Sequence, residues 1–258
     1  MDARIPTFDR GADATELRRA FQRAGIVVVR GAVDSAALER LRAAAAEVLA
    51  VVAKRPALAL GLDDAGRFNR VPFVLALDPD AKPLSALVRS PFVGALAETL
   101  LGAGAVCTGD VLVVKAAGPA SQFPVHVDCE PVAPARLGRR WFVNVGVYLD
   151  DAGADNGCVA VLPGSHADPN AWAAVPRRRD RFDDLVPVEA EAGDVVVHHC
   201  ALVHGSAASV QASPRRTLYF EFHPFLPALL YAEARLELPM ARSEILARRR
   251  LHQEVRHA

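Results

Sequence analysis

The 258-residue chain has no C-x-x-C pair among its four cysteines, Cys107, Cys129, Cys158 and Cys200. That argues against a zinc ribbon and against a disulfide scaffold. Neither sign of charge is in excess: 30 Lys and Arg stand against 30 Asp and Glu. A field that would gather nucleic acid or an acidic membrane is therefore missing. No apolar run approaches the ~20 residues that cross a bilayer. The first residues lack the basic-then-apolar pattern of a signal peptide, so a cytoplasmic protein is expected. Ser165 and Ser206 lie outside any G-x-S-x-G, which leaves a nucleophile elbow unsupported. Gly102-Ala103-Gly104 lacks the third glycine of a dinucleotide fingerprint. There is no internal repeat and no convincing linker.

What is present suits one domain with a sizeable core, since 52% of the residues are apolar. A β-barrel or jelly roll with added helices commonly reaches this length. Ala14–Ala24 reads as an amphipathic helix with Leu17 and Phe21 on one face, ended by Gly25. The β-branched run IVVVR follows as a buried strand. Asp34 caps a helix running to about Ala53, with Val33 and Leu38 placed as a hydrophobic staple. Ser90-Pro91 is expected to open a third helix that stops before Gly102. Between these helices, Arg55–Ala81 has little periodicity, and its segment 67–70 is expected to be a surface loop rather than a lid. From Val106 onward the pattern turns to short strands: Val111–Val114, Gln122–Asp128, Trp141–Leu149, Cys158–Leu162, Asp194–His199, Val203–His204 and Thr217–His223. The turn-rich stretches 150–157 and 163–166 separate some of them. Strands after early helices predict a mainly β sandwich or barrel with helices on one face. Ser243–Val255 is expected to close the chain as a basic helix.

The chemistry centres on PVHVDCEP. On a strand, His126 and Asp128 would share one face and offer two ligands to a divalent metal. A distal histidine would complete a facial triad of the kind that holds non-haem Fe(II) with open positions. His198, His199 and His204 compete for that place. His204 precedes Gly205 and Ser206, where the backbone can approach a ligand closely. Eleven residues on, Arg215 opens a strand, where a guanidinium can bind a carboxylate bidentately. A metal site with a built-in carboxylate anchor suits an oxygenase that uses a keto acid. His166 reads as a turn residue, His198 as a packing or hydrogen-bonded histidine, and Cys129 as facing away from the metal. The Arg177–Arg181 run reads as a solvated loop.

The segments FQRAGIVVVRGAVDSAALERL, KAAGPASQFPVHVD, YLDDAGADNGCVAVLPGSH and GDVVVHHCALVHGSAASVQASPRRTLYF follow one another from about Phe21 to Phe222. In order and spacing the chain resembles the phytanoyl-CoA dioxygenase family of Fe(II)/2-oxoglutarate oxygenases, which includes ectoine hydroxylase. The resemblance implies a double-stranded β-helix, that is, a jelly-roll, cupin-like fold. On it, residues 1–258 form a single oxygenase domain. Its helical part spans about 1–104, its jelly-roll core about 105–224 and its C-terminal helical segment about 228–258. His126, Asp128 and His204 are implied as iron ligands. Arg215, helped by the Ser206 hydroxyl, is implied to bind the 5-carboxylate of 2-oxoglutarate, while Arg216 points the other way. Lys115 and His199 match positions near the co-substrate in some members. Many members carry Trp where this chain has Val145-Gly146, and Asn144 could offer a hydrogen bond there instead.

The implied reaction consumes O2 and 2-oxoglutarate, releases succinate and CO2, and hydroxylates an unactivated C–H of a small molecule. Asp128 argues against halogenation, because halogenating relatives have a small residue at that position, and for hydroxylation or another oxidation such as desaturation. The loop Cys129–Arg140, with Arg136, Arg139 and Arg140, and the segment Gly61–Phe73 are candidate substrate-facing elements. Two other readings stay open: a jelly-roll metalloenzyme that does not use 2-oxoglutarate, and a non-catalytic small-molecule-binding relative.

Overall fold

The computed structural model describes residues 4–54, 60–62, 68–72, 90, 92–116, 118, 121–129, 142–177 and 180–224. The expected C-terminal helix and most of the candidate loop Cys129–Arg140 lie outside them. Helix α1 spans Ala14–Ala24; Asp13 Oδ1 accepts the Thr15 and Glu16 amides at its start, and Gly25 ends it at φ 74°. Only a residue without Cβ enters that left-handed conformation at little cost. Helix α2 spans Ser35–Lys54, and Asp34 Oδ1 accepts the Ala37 amide at 2.8 Å. Val33 and Leu38 are both buried, as a staple requires.

Helix α3, Gly94–Leu101, begins later than expected. Ser90 forms a turn ahead of it: its Oγ accepts the Val93 amide and its carbonyl accepts the Gly94 amide. A short helix α4, Pro169–Ala174, was not anticipated; Asp168 caps it and Pro169 occupies its first turn.

Among the described residues, twelve strands form two sheets: β1 Thr7–Asp9, β2 Ile26–Arg30, β3 Leu60–Leu62, β4 Phe68–Pro72, β5 Val106–Lys115, β6 Phe123–His126, β7 Val143–Tyr148, β8 Val159–Val161, β9 Val186–Val188, β10 Val195–His199, β11 His204–Ser206 and β12 Arg215–His223. The larger sheet has the order β1-β2-β10-β7-β12-β5-β4-β3, and the smaller β6-β11-β8-β9. Apart from the parallel β1–β2 pair, every pairing is antiparallel. This is the expected jelly roll.

Three expectations need correction. The stretch of little periodicity, Arg55–Ala81, contains β3 and β4, and the segment 67–70 read as a surface loop runs into β4, because Arg70–Pro72 finds a free edge on β5. β5 is longer than Val111–Val114, since β12 pairs along its whole length. The strand carrying the central motif stops at His126, leaving Asp128 in a bend.

Alternation decides what each face does. On β7, Val143, Val145 and Val147 join Leu218, Phe220 and Phe222 of β12 beneath the helices, with Leu17, Phe21, Leu41, Ala45 and Ala97. Each such side chain, fully buried, contributes roughly 1.5–3 kcal/mol of hydrophobic stabilisation. The alternate residues Asn144, Gly146 and Tyr148, and Arg215, Thr217 and Tyr219, face the space between the sheets. Tyr148, Ile26, Val28 and Val196 meet Val159, Val161 and Val188 of the smaller sheet there and close one end of the roll. Among the described residues, no helix is long and apolar enough to cross a membrane.

Candidate metal centre and anion pocket

His126 and His204 are register partners on β6 and β11. Their rings lie 4.2 Å apart between centroids. The His126 Nδ1 is 2.7 Å from the Pro124 carbonyl, and the His204 Nδ1 is 2.9 Å from the Leu202 carbonyl. A carbonyl can only accept, so both rings carry their proton on Nδ1 and turn the Nε2 lone pair inward. Asp128 stands between them. Its Oδ1 is 3.5 Å from His126 Nε2, and its Oδ2 is 3.7 Å from His204 Nε2. One ligand atom from each of the three residues lies within 4.8 Å of the others.

The reason expected for this convergence was a shared strand face. The observed reason differs: the Asp128 and Cys129 amides both donate to the Cys200 carbonyl, at 2.8 and 3.2 Å, which pins the bend after β6. Gly205 has a packing reason of its own. A Cβ there would meet Phe182 at 2.9 Å and the Val125 backbone at 3.1 Å, so the missing side chain lets β11 lie against β6.

The electrostatics suit a cation. Burial pushes the Asp128 carboxyl up, but the surrounding imidazoles of His204, His126 and His198 outweigh it and hold the acid well below the usual carboxylate range. Burial lowers His204 to about 3, so its imidazole is neutral with a lone pair to give. This is a set of hard and intermediate donors fit for a divalent first-row metal.

His198, read as a packing or hydrogen-bonded histidine, is hydrogen-bonded at the site: its Nε2 lies 3.1 Å from Asp128 Oδ2. Asn144, expected to face the co-substrate, donates from Nδ2 to the same oxygen at 2.8 Å. His199 sits elsewhere, a correction that follows from strand alternation. Its ring packs 5.1 Å from His166 and 6.3 Å from Phe21, and its Nδ1 accepts the Ala201 amide. Burial and the neighbouring His166 lower it to about 4. Cys129 packs with Phe142, Cys200 and Ala201. His166 lies in the turn after Leu162, its Nε2 3.2 Å from the Gln22 carbonyl.

The other end of the inward face is cationic. Arg215 is buried, and its Nε and Nη1 have no hydrogen-bond partner. The same holds for the Tyr148 hydroxyl and Thr217 Oγ1. Lys115 is the register partner of Arg215 and is fully buried; its Nζ donates to the Ser121 carbonyl at 2.7 Å and the Ser206 carbonyl at 3.4 Å. Burial and then the Arg215 charge lower Lys115 to about 7. Among the described residues no carboxylate pairs with either cation.

Ser206 Oγ donates to the Gly157 carbonyl at 2.7 Å, so in this arrangement its proton is already used. Gly157, at φ 66°, gives Lys115 room: a Cβ there would lie 2.1 Å from Lys115 Cε. Arg216 points the other way, as alternation requires, and holds Asp150 with two side-chain bonds of 2.8 Å. Thr217 and Tyr148 were missed as pocket residues. The signal was available: Thr217 lies two residues from Arg215, and Tyr148 shares a face with Asn144 and Gly146. Gly146 also has a local reason, since a Cβ there would meet the Tyr219 ring at 2.6 Å. Tyr219 of β12 thus covers the space above the glycine on β7.

The family model for phytanoyl-CoA dioxygenase (PhyH) matches residues 21–217. Among curated proteins, "Dioxygenase af480" of Aspergillus fumigatus is 33% identical over 129 residues, which are 50% of this chain and 40% of that protein. Among solved structures, EvdMO1 aligns at TM-score 0.66 and 29% identity over 81% of this chain and 49% of that one. AviO1 of Streptomyces viridochromogenes aligns at TM-score 0.62 and 27% identity over 83% of this chain and 96% of that one. The chain therefore matches less than half the length of af480 and of EvdMO1.

Proposed function

Because the chain belongs to the phytanoyl-CoA dioxygenase family, we propose that it is a non-haem Fe(II)/2-oxoglutarate-dependent oxygenase that hydroxylates a small molecule. The observation that carries the reading is a pairing of two sites on one inward face. A metal-competent His126-Asp128-His204 set lies at one end. Arg215, with two unpartnered buried donors, lies at the other. A buried guanidinium left unpaired is costly, and a carboxylate placed there removes that cost. The fit of the donors to both groups is therefore chemical as well as positional.

In this reading His126, Asp128 and His204 hold Fe(II). Bound together, the metal and the keto acid supply the oxidising chemistry: O2 is consumed, 2-oxoglutarate becomes succinate and CO2, and a substrate C–H becomes C–OH. The protein's own contribution is positioning. The Nδ1–H contacts of His126 and His204 with backbone carbonyls fix the tautomers, so both lone pairs are ready before metal arrives. Arg215 anchors the far carboxylate, with the Thr217 and Tyr148 hydroxyls as further donors beside it. Lys115 adds a second cation. Tyr148, Val159 and Val161 wall the inner end and keep water from it. Asp128 would fill a place that a halide needs, which argues against halogenation and for hydroxylation or another oxidation such as desaturation. We read residues 1–258 as one oxygenase domain, and a cytoplasmic setting suits its four free cysteines.

The test is an anaerobic titration of the Fe(II)-loaded protein with 2-oxoglutarate, followed in the visible region. A metal-to-ligand charge-transfer band that disappears in His126→Ala and His204→Ala supports the reading. Iron binding without the band would move the protein to a metalloenzyme class that does not use this co-substrate. No iron binding at all would leave a small-molecule-binding relative.

A further inference from the structure

We propose that Asn144 and His198 clamp one oxygen of Asp128, so that the carboxylate meets the metal through Oδ1 alone. The inference rests on the triad reading above and adds two positioning residues to it.

A carboxylate oxygen has two in-plane lone pairs. At Asp128 Oδ2 both have a donor: Asn144 Nδ2 at 2.8 Å and His198 Nε2 at 3.1 Å. Oδ2 lies 3.7 Å from His204 Nε2, but it has no electron pair left for a cation. Oδ1, 3.5 Å from His126 Nε2, has neither donor.

Tautomers separate the three histidines that surround this one carboxylate. His126 and His204 bond backbone carbonyls through Nδ1 and turn a bare Nε2 inward. His198 Nε2 lies 3.1 Å from Asp128 Oδ2 and 3.3 Å from Asn144 Nδ2; the carboxylate, the shorter contact, can only accept, so in the clamp that nitrogen carries a proton and does not ligate. Three imidazoles thus divide into two metal ligands and one hydrogen-bond donor.

The clamp also has a rigid origin. Asn144 and His198 are register partners on β7 and β10, two central strands of the larger sheet. His126 and His204 are register partners on β6 and β11 of the smaller sheet. Asp128, in the bend after β6, is held from both sides. The two donors therefore set the carboxylate's rotation from the sheet opposite the one that supplies the imidazoles. Tyr219 meets His198 edge-on at 6.0 Å and limits the ring's freedom.

Cobalt(II), stable in air, is the probe. Its affinity is read by titration, and its d–d absorption reports coordination number. Asn144→Ala and His198→Phe should each weaken Co(II) about 10- to 100-fold, the usual cost of losing an outer-shell partner. Each should also change the d–d spectrum, as Oδ2 becomes free to ligate. His198→Gln, whose amide can donate, should recover most of the affinity and the wild-type spectrum, which a packing role alone would not do.

Unchanged affinity and spectrum in Asn144→Ala and His198→Phe would overturn the clamp, provided Asp128→Ala still abolishes binding. A His198→Gln variant as impaired as His198→Phe would overturn the donor role of His198. Failure of the wild-type chain to bind Co(II), or retained binding in Asp128→Ala, would overturn the metal site and the clamp with it.

Discussion

At the triad end of the inward face, charges and hydrogen bonds close among themselves. Asp128 faces three imidazoles and the Asn144 amide, and its backbone amide is held by Cys200. At the Arg215 end they do not close. Two buried cations face each other across β5 and β12, and four buried polar atoms, Arg215 Nε and Nη1, the Tyr148 hydroxyl and Thr217 Oγ1, have no partner. The first end is preorganised to keep its geometry without a ligand. The second is built so that a ligand relieves it. The proposed activity would call for this difference: a resident metal must stay, while a keto acid consumed at each turnover must bind and leave.

The largest effect should come from the triad. Replacing His126, Asp128 or His204 with Ala is expected to abolish the charge-transfer band and succinate release together, as spectroscopy and a coupled assay would show. Retention of either would break the contrast at its preorganised end.

Next comes the anchor. Arg215→Ala should weaken 2-oxoglutarate by about 2–5 kcal/mol, the cost of truncating one side of a buried charge pair. Metal affinity should stay unchanged, and calorimetry can read both. An equal loss of metal would mean that the two ends are one unit.

Lys115 sharpens the comparison through pH. Its folded pKa, about 7, is below its ordinary 10.5. Between those values the unfolded chain binds more protons than the folded one. The free protein should therefore gain stability as pH rises through that window, and the burial penalty is complete below it. Lys115→Met should remove this slope and stabilise the free protein near neutral pH by about 1–3 kcal/mol, readable by denaturant titration at several pH values. A carboxylate beside Lys115 raises its pKa, so co-substrate binding should take up a proton above pH 7. Affinity should then fall as pH rises in wild type and stay flat in Lys115→Met. A flat wild-type profile would show that Lys115 does not face the anion.

The smallest effect concerns Gly146. The Cβ of Gly146→Ala meets the Tyr219 ring, and overpacking of this kind costs about 1–3 kcal/mol. Tyr219→Ala should relieve the double variant. Thermal melts that add independently would argue against direct contact.

Much of this was legible before any coordinates. The three N-terminal elements, Ala14–Ala24, Ile26–Arg30 and the helix after Asp34, carry their own caps, periodicity and β-branched runs, so local chemistry alone determined them. The triad and Arg215 were legible through motif order and through the resemblance. The hairpin of β3 and β4 was not, because its strands are defined by the β5 edge and not by an alternating pattern of their own. The partner of His198 was not legible for a related reason. Alternation correctly separated it from His199 but could not say which of the two faced Asp128 across the roll.

The residue types proposed to bind a metal and an anion, and the order in which they occur, were therefore set by the sequence by itself. Which oxygen of Asp128 meets Asn144 and His198, which histidines bond backbone carbonyls through Nδ1, and which buried hydroxyls stand beside Arg215 were decided only by tertiary structure. These depend on register between strands far apart in the chain. A shift of one residue would have turned every one of those side chains to the opposite face.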